Sequence, residues 1–249
     1  MSRYWDNDYY AQPTDAELRR NVNSTAVNAA KKGQSFNPVV VKAQGRKLAE
    51  NWWGQAWCAN LERYADFSSR IARGKRYVRA GTVVDLQIKK GIIHARVQGS
   101  RRTPYRVEIR ISPIDEEKCQ KIIERSTVKF SNIEQLVQGN FPEEMKDLFG
   151  GEGGLFPTSR EISFACSCPD WALMCKHVAA ALYGIGVMFD ENPLLFFELR
   201  GIDINRFIDV SLKTRVEKML ENAGNIKSPR IVDDMDIAQE YFGVKNSLK

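Results

Sequence analysis

Residues 82–112 alternate between apolar and polar side chains. Val84, Leu86 and Ile88 take turns with Asp85, Gln87 and Lys89, then Ile93, Ala95 and Val97 with His94, Arg96 and Gln98, and finally Tyr105, Val107, Ile109 and Ile111 with Arg106, Glu108 and Arg110. A period of two sends successive side chains to opposite faces of a strand, so each run predicts a strand with one buried face. Lys90-Gly91 closes a tight turn between the first two runs, and residues 99–104 form a longer loop before the third. The expectation is a three-stranded antiparallel meander whose apolar face packs on helices and whose other face presents Lys89, Arg96, Arg106 and Arg110.

Elsewhere the spacing is helical. Leu48, Trp52, Trp53, Ala56, Trp57, Leu61, Tyr64 and Ile71 recur at steps of three and four, predicting a helix over 46–71 that Gly74 ends, with its tryptophans in the core. Thr14 with Glu17 three residues on is a capping pair for a helix over 14–30, within an N-terminal arm of residues 1–35. Residues 114–125 read as a helix with an acidic first turn, 133–137 and 142–149 as short helical pieces, and 160–165 as a strand. Gly150 to Gly154 is the strongest break; without a following Lys-Ser/Thr it reads as a joint, not a phosphate loop. Pro193 starts a short helix that Gly201 stops, and residues 204–222 form an amphipathic helix with Phe207, Ile208, Leu212, Val216, Met219 and Leu220 on one side. In the tail, Asp233, Asp234 and Asp236 read as a solvated acidic turn, and 237–242 as a last short helix or a partner-binding segment. The fold class expected is α+β, with a basic α+β region at 36–150, a metal-binding unit at 155–190 and a helical C-terminal extension and tail at 191–249.

Composition adds a direction to this outline. The 249-residue chain carries a net charge of +6, but residues 60–112 hold 13 basic and 4 acidic side chains, whereas residues 113–249 hold 16 basic and 22 acidic ones. A block of +9 within 53 residues is the footprint expected for a polyanion partner, and the acidic remainder argues against a protein that coats nucleic acid all round. The candidate phosphate contacts are Arg73, Lys75, Arg76, Arg79, Lys89, Arg96, Arg101, Arg102, Arg106 and Arg110, with Tyr77 and Tyr105 as possible stacking platforms. No run reaches the ~18 apolar residues of a membrane span, and the polar N-terminus offers no secretion signal, so no membrane association and a cytoplasmic setting are expected.

The chemistry concentrates in twelve residues. Cys166, Cys168, Cys175 and His177 are spaced C-x-C-x6-C-x-H, using three of the five cysteines and one of the two histidines. Three thiolates and one imidazole form the donor set of tetrahedral structural Zn(II), and with four protein ligands no coordination position remains for water or substrate. Cys166 and Cys168 share one side of a strand end and the turn closed by Pro169-Asp170. Cys175 sits at or just before a helix start, with His177 in the first turn. One structural zinc ion is therefore the expected cofactor. An odd cysteine total with Cys58 and Cys119 isolated in helical patterns argues against a disulfide framework.

This C-x-C, spacer, C-x-H signature resembles the SWIM zinc finger. Trp52-Trp53, Trp57, residues 73–77, 97–101, Pro104-Tyr105 and 192–201 also look like the stand-alone bacterial and archaeal SWIM proteins, so the resemblance runs from about residue 36 to about residue 201. It implies an accessory factor that binds nucleic acid or protein partners and works with a Swi/Snf-type ATPase or a RecA-class recombinase. The reading that follows is a zinc-organised, non-enzymatic nucleic-acid-binding factor, with DNA as the expected polyanion. Its rival is a protein–protein adaptor that docks to such a partner through apolar anchors such as Phe196, Phe197 or Tyr241-Phe242. Catalysis would need an open metal position or a nucleophile with a base, and no such pairing is legible.

Overall fold

The computed structural model describes residues 12–64, 68–127, 141, 143–150 and 154–203, with separate helical positions between 205 and 221. The expected pieces at 133–137 and 237–242, the acidic turn at Asp233, Asp234 and Asp236, the anchors Tyr241 and Phe242, and most of the glycine joint lie outside the described residues. The architecture is α+β.

The three alternating runs form β1 (Val83–Lys89), β2 (Ile92–Val97) and β3 (Tyr105–Ile111), joined as antiparallel neighbours. Register puts Ala95 opposite both Leu86 and Val107, and Ile93 opposite both Ile88 and Ile109, so one face is continuously apolar and buried. The sheet has a fourth strand: β4 (Ile162–Cys166) pairs antiparallel with β3, giving the order β1-β2-β3-β4. The meander is thus extended by the strand that leads into the first cysteine pair, and Cys166 stands opposite Val107.

Against the buried face lies α6 (Lys176–Glu191), the helix of the C-x-H pair. Its residues from His177 to Val187, and Phe189, are all buried. A helix apolar all round must be enclosed on every side. The sheet covers one side, and α2 (Trp52–Leu61) and α3 (Ser68–Arg79) pack on it as well. The single helix expected over 46–71 is therefore two: α2, which begins after Asn51 and is followed by a 3-10 turn over Glu62–Tyr64, and α3, which runs straight through Gly74. Gly74 does not stop the helix because its role is contact; a Cβ there would meet the Ala179 Cβ at 2.5 Å and the Ala179 backbone at 3.0 Å. Gly81, at φ +73°, turns the chain into β1 instead.

The tryptophans of α2 belong to the core, Trp53 and Trp57 buried and Trp52 packed partly buried against them. Trp52, Trp53 and Trp57 donate their indole N–H groups to the carbonyls of Phe141, Phe189 and Leu182 at 2.7, 2.9 and 3.0 Å. Phe141, Phe149, Phe156, Phe189, Phe196 and Phe197 surround them, mostly edge-to-face. Phe196 and Phe197, on α7 (Leu194–Arg200), are each 1% exposed, so the idea that they anchor a partner is overturned: this aromatic cluster has already buried them. The same short helix buries Arg200, which donates to the Ser112 carbonyl at 2.6 Å and pairs with Glu161 at 2.8 Å.

Two elements frame this core. The helix α1 (Asp15–Lys31) carries the full Thr14/Glu17 capping box and docks through Leu18, which is fully buried, and through Thr25, which donates to Gln98 at 2.7 Å. The helix α4 (Glu116–Thr127) starts at Asp115, which accepts the Lys118 N–H at 2.7 Å, and α5 (Lys146–Gly150) follows a 3-10 turn. Cys58 and Cys119 are partly buried beside the core, and burial pushes the Cys58 thiol up to about 12, as packing residues would behave. The described positions of 205–221 are helical, and Leu212, Val216, Met219 and Leu220 are 44–67% exposed there. No helix among the described residues is long and apolar enough to cross a membrane.

Candidate metal centre

Cys166 is the last residue of β4, and Cys168 lies in the turn that follows. Cys175 is the N-cap of α6, its backbone extended at φ −70° and ψ 167°, and its sulfur accepts the Val178 N–H at 3.5 Å. His177 follows in the first turn. Strand, turn and helix start therefore deliver four donor atoms that all lie within 4.8 Å of one another.

Nδ1 of His177 is 3.9 Å from Sγ of Cys166 and of Cys175. Ligands about 2.3 Å (sulfur) and 2.0 Å (nitrogen) from one tetrahedral ion stand roughly 3.5–3.8 Å apart, so these contacts fit such an ion after an adjustment of a few tenths of an ångström. Electrostatics agree. The contact between the two sulfurs holds the Cys166 thiol far above its ordinary range, and burial adds to this. The same contact, with His177 and the Val178 N–H, draws Cys175 down against the cost of its own burial. Three thiols in one pocket cannot all ionise unaided, and a divalent cation would supply the missing positive charge.

The histidine is held from outside the cluster. It is 3% exposed, lies flat against Tyr105 with ring centroids 4.2 Å apart, and meets the edge of Tyr77 at 5.6 Å. Gly99 makes room for this stack, since a Cβ there would lie 2.8 Å from the Tyr105 ring and 3.1 Å from His177 Nε2. Nδ1 faces the two sulfurs and is the nitrogen placed to bind an ion, while Nε2 is buried and has no hydrogen-bond partner among the described residues. Tyr77 and Tyr105, at 2% and 7% exposed, cannot serve as stacking platforms for bases; the metal centre has taken both rings.

The ten expected phosphate contacts fall on α3, on the open sheet face and in the loop between β2 and β3. Arg73, Lys75, Arg76 and Arg79 lie on α3 and are engaged within the chain. Arg73 faces the Gln12 amide, Lys75 pairs with Glu62 at 2.6 Å, Arg76 pairs with Asp15 at 2.6 Å, and Arg79 donates to the carbonyls of Arg46 and Lys47. On the open sheet face Arg110 pairs with Glu108 at 2.7 Å, and Arg96 lies 3.6 Å from buried Asp85 and over the Phe36 ring. Lys89, Arg102 and Arg106 are exposed and have no acidic partner among the described residues, and exposed Arg101 lies over the Tyr105 ring at 5.4 Å. His94 is an exposed strand residue beside Glu108.

Three residues bordering the centre were not legible as functional. Arg70 pairs with Asp170 in the turn between the ligand pairs, at 3.1 Å, and Lys176 opens α6 with its ammonium 5.8 Å from the Tyr77 ring centroid. The Pro169-Asp170 turn was the only signal for the first pair. Arg106, by contrast, was singled out for its charge, yet its backbone ties it to the centre: its N–H donates to Ser167 Oγ and its carbonyl accepts the Ser167 N–H, both at 3.0 Å.

No family model matches the chain. It is 38% identical over 165 residues to the uncharacterized protein Rv2102 of Mycobacterium tuberculosis, a match covering 65% of this chain and 59% of that protein. The chain thus spans about three fifths of the length of this relative. No solved structure matches it.

Proposed function

We propose that this chain is a zinc-organised, non-enzymatic nucleic-acid-binding factor that assists an ATPase or recombinase. Zinc is the ion that suits a Cys3His set, and the C-x-C-x6-C-x-H spacing with its SWIM resemblance supports that choice. With four protein ligands the ion shapes the strand, turn and helix start and offers no site for chemistry. The observation that carries the reading is the mounting of unneutralised charge on the centre. Arg106 is fastened to the Cys-x-Cys turn through Ser167, and Arg101 rests on the ring that stacks on His177. Cations fixed in this way meet phosphates without reading sequence. Charge reversal at Arg101, Arg102 and Arg106 should weaken oligonucleotide binding by at least about tenfold while zinc content stays at one ion per chain. Unchanged affinity would overturn this surface.

A second reading has one observation of its own. Leu212, Val216, Met219 and Leu220 recur at helical spacing and are exposed, as an adaptor helix awaiting a groove would be. Co-purification with a motor protein that survives nuclease and is lost on truncation at residue 203 favours it; retention after truncation excludes it.

A further inference from the structure

The turn between the ligand pairs has an inside and an outside. Ala172 and Met174 are 7% and 0% exposed, whereas Trp171 and Leu173 stand out at 80% and 77%. The turn is also braced. Cys168 and Cys175 hold its ends, and Asp170 forms an ion pair with Arg70, accepting a hydrogen bond from its Nη2 at 3.2 Å, and accepts the Ala172 N–H at 3.3 Å. The charge-assisted bond from Arg70 and the bond from the Ala172 N–H meet on one carboxylate oxygen and fix the turn. A tryptophan placed in water on a braced turn forgoes the burial that its large apolar ring favours, and that is the mark of a contact residue.

What borders the turn decides the partner. Asp170 is already neutralised by Arg70, while Lys176 follows Cys175 directly, Arg106 is bonded to Ser167, and Arg101 lies over Tyr105. A planar apolar ring on a turn whose ends adjoin Arg106 and Lys176 fits a polyanion that carries flat apolar faces. Bases in a duplex hide those faces in the stack; unpaired bases offer them.

We infer that Trp171 is a stacking platform for an unpaired base of a single-stranded nucleic acid, with Arg101, Arg106 and Lys176 receiving the flanking phosphates. This rests on the nucleic-acid reading above and adds which form of nucleic acid is preferred. The test measures anisotropy of a labelled oligothymidylate and of a blunt-ended duplex of equal charge with the zinc-loaded full chain, its Trp171→Ala variant and its Trp171→Phe variant. Zinc content and melting temperature serve as fold checks. Stacking strength predicts that Trp171→Ala weakens oligothymidylate binding roughly 10- to 100-fold, leaves the duplex within about twofold, and is largely rescued by Trp171→Phe. Equal loss on both probes, no loss on either, or a phenylalanine variant as weak as the alanine one would each overturn the inference, the second pointing to a protein partner at this tip. Wild-type protein that binds neither probe would sink the nucleic-acid reading itself. Duplex binding with oligothymidylate affinity indifferent to Trp171 would sink only the single-strand inference.

Discussion

Tyr105 lies flat on His177, centroids 4.2 Å apart and planes inclined by 28°, so the first residue of β3 packs directly on the histidine of the candidate metal centre. The stack exists because Gly99 leaves space for it. Gly99→Ala should therefore loosen the ligand, with zinc affinity falling on the order of 10-fold or more, the range seen when outer-shell support is lost. Competition with a chromophoric chelator measures this. Affinity equal to wild type would mean that the stack does not position His177.

Zinc removal should reach beyond the turn. Metal binding to such a site is worth about 10–16 kcal/mol, as large as the whole net stability of about 5–15 kcal/mol, and α6 belongs to both the centre and the core. Chelation, or Cys168→Ser, should abolish hydrogen-exchange protection from 162 to about 182. Protons compete with the ion for three thiolates and an imidazole, so zinc affinity should fall steeply as pH falls. Protection unchanged by chelation would contradict a structural role.

The Glu161–Arg200 pair predicts a pH signature away from the metal. Burial raises the Glu161 carboxyl, but the Arg200 hydrogen bond and charge and the Thr158 N–H outweigh it and hold it at about 2 against an ordinary 4.5. A depressed carboxylate stabilises the fold above its unfolded value and loses that contribution as pH falls toward the folded value. Glu161→Gln should thus cost about 2 kcal/mol at neutral pH, allowing for partial exposure and for Arg200 left buried without its charge partner. In urea titrations the gap should hold from pH 8 to 5 and narrow below about 4.5. A gap independent of pH would refute the linkage.

At Gly74 two effects oppose each other. Alanine favours a helix by about 1 kcal/mol, but overpacking a close contact costs about 1–3 kcal/mol. The contact wins, because the obstacles at 2.5 and 3.0 Å are another Cβ and a backbone carbon, which cannot swing aside. Gly74→Ala should lower the melting temperature, and a rise would show that α3 can slide on α6.

Local signals were the legible ones. Alternation found three strands, capping chemistry found α1, and ligand spacing found the donors with Cys175 at a helix start. What escaped depends on contacts between distant segments. β4 joins β3 about fifty residues along the chain, and its own pattern does not name its neighbour. Gly74 reads as a stop because nothing local reveals Ala179 against it. Tyr77 and Tyr105 read as surface aromatics because the ring they enclose belongs to residue 177. The basic block is visible as a sum, but which of its charges are already engaged depends on Asp15, Glu62, Asp85 and Glu108.

The central claim is that this chain grips a polyanion through cations fixed around a zinc centre. The measurement that tests it most directly is the affinity of the zinc-loaded protein for an oligonucleotide across a salt series. Three to four phosphate contacts from Arg101, Arg102, Arg106 and Lys176 predict a slope of log K against log salt of roughly −2 to −4, since each neutralised phosphate contributes about −0.7 to −0.9. A slope near zero, or no binding at low salt, would contradict the account and assign the basic surface to a protein partner.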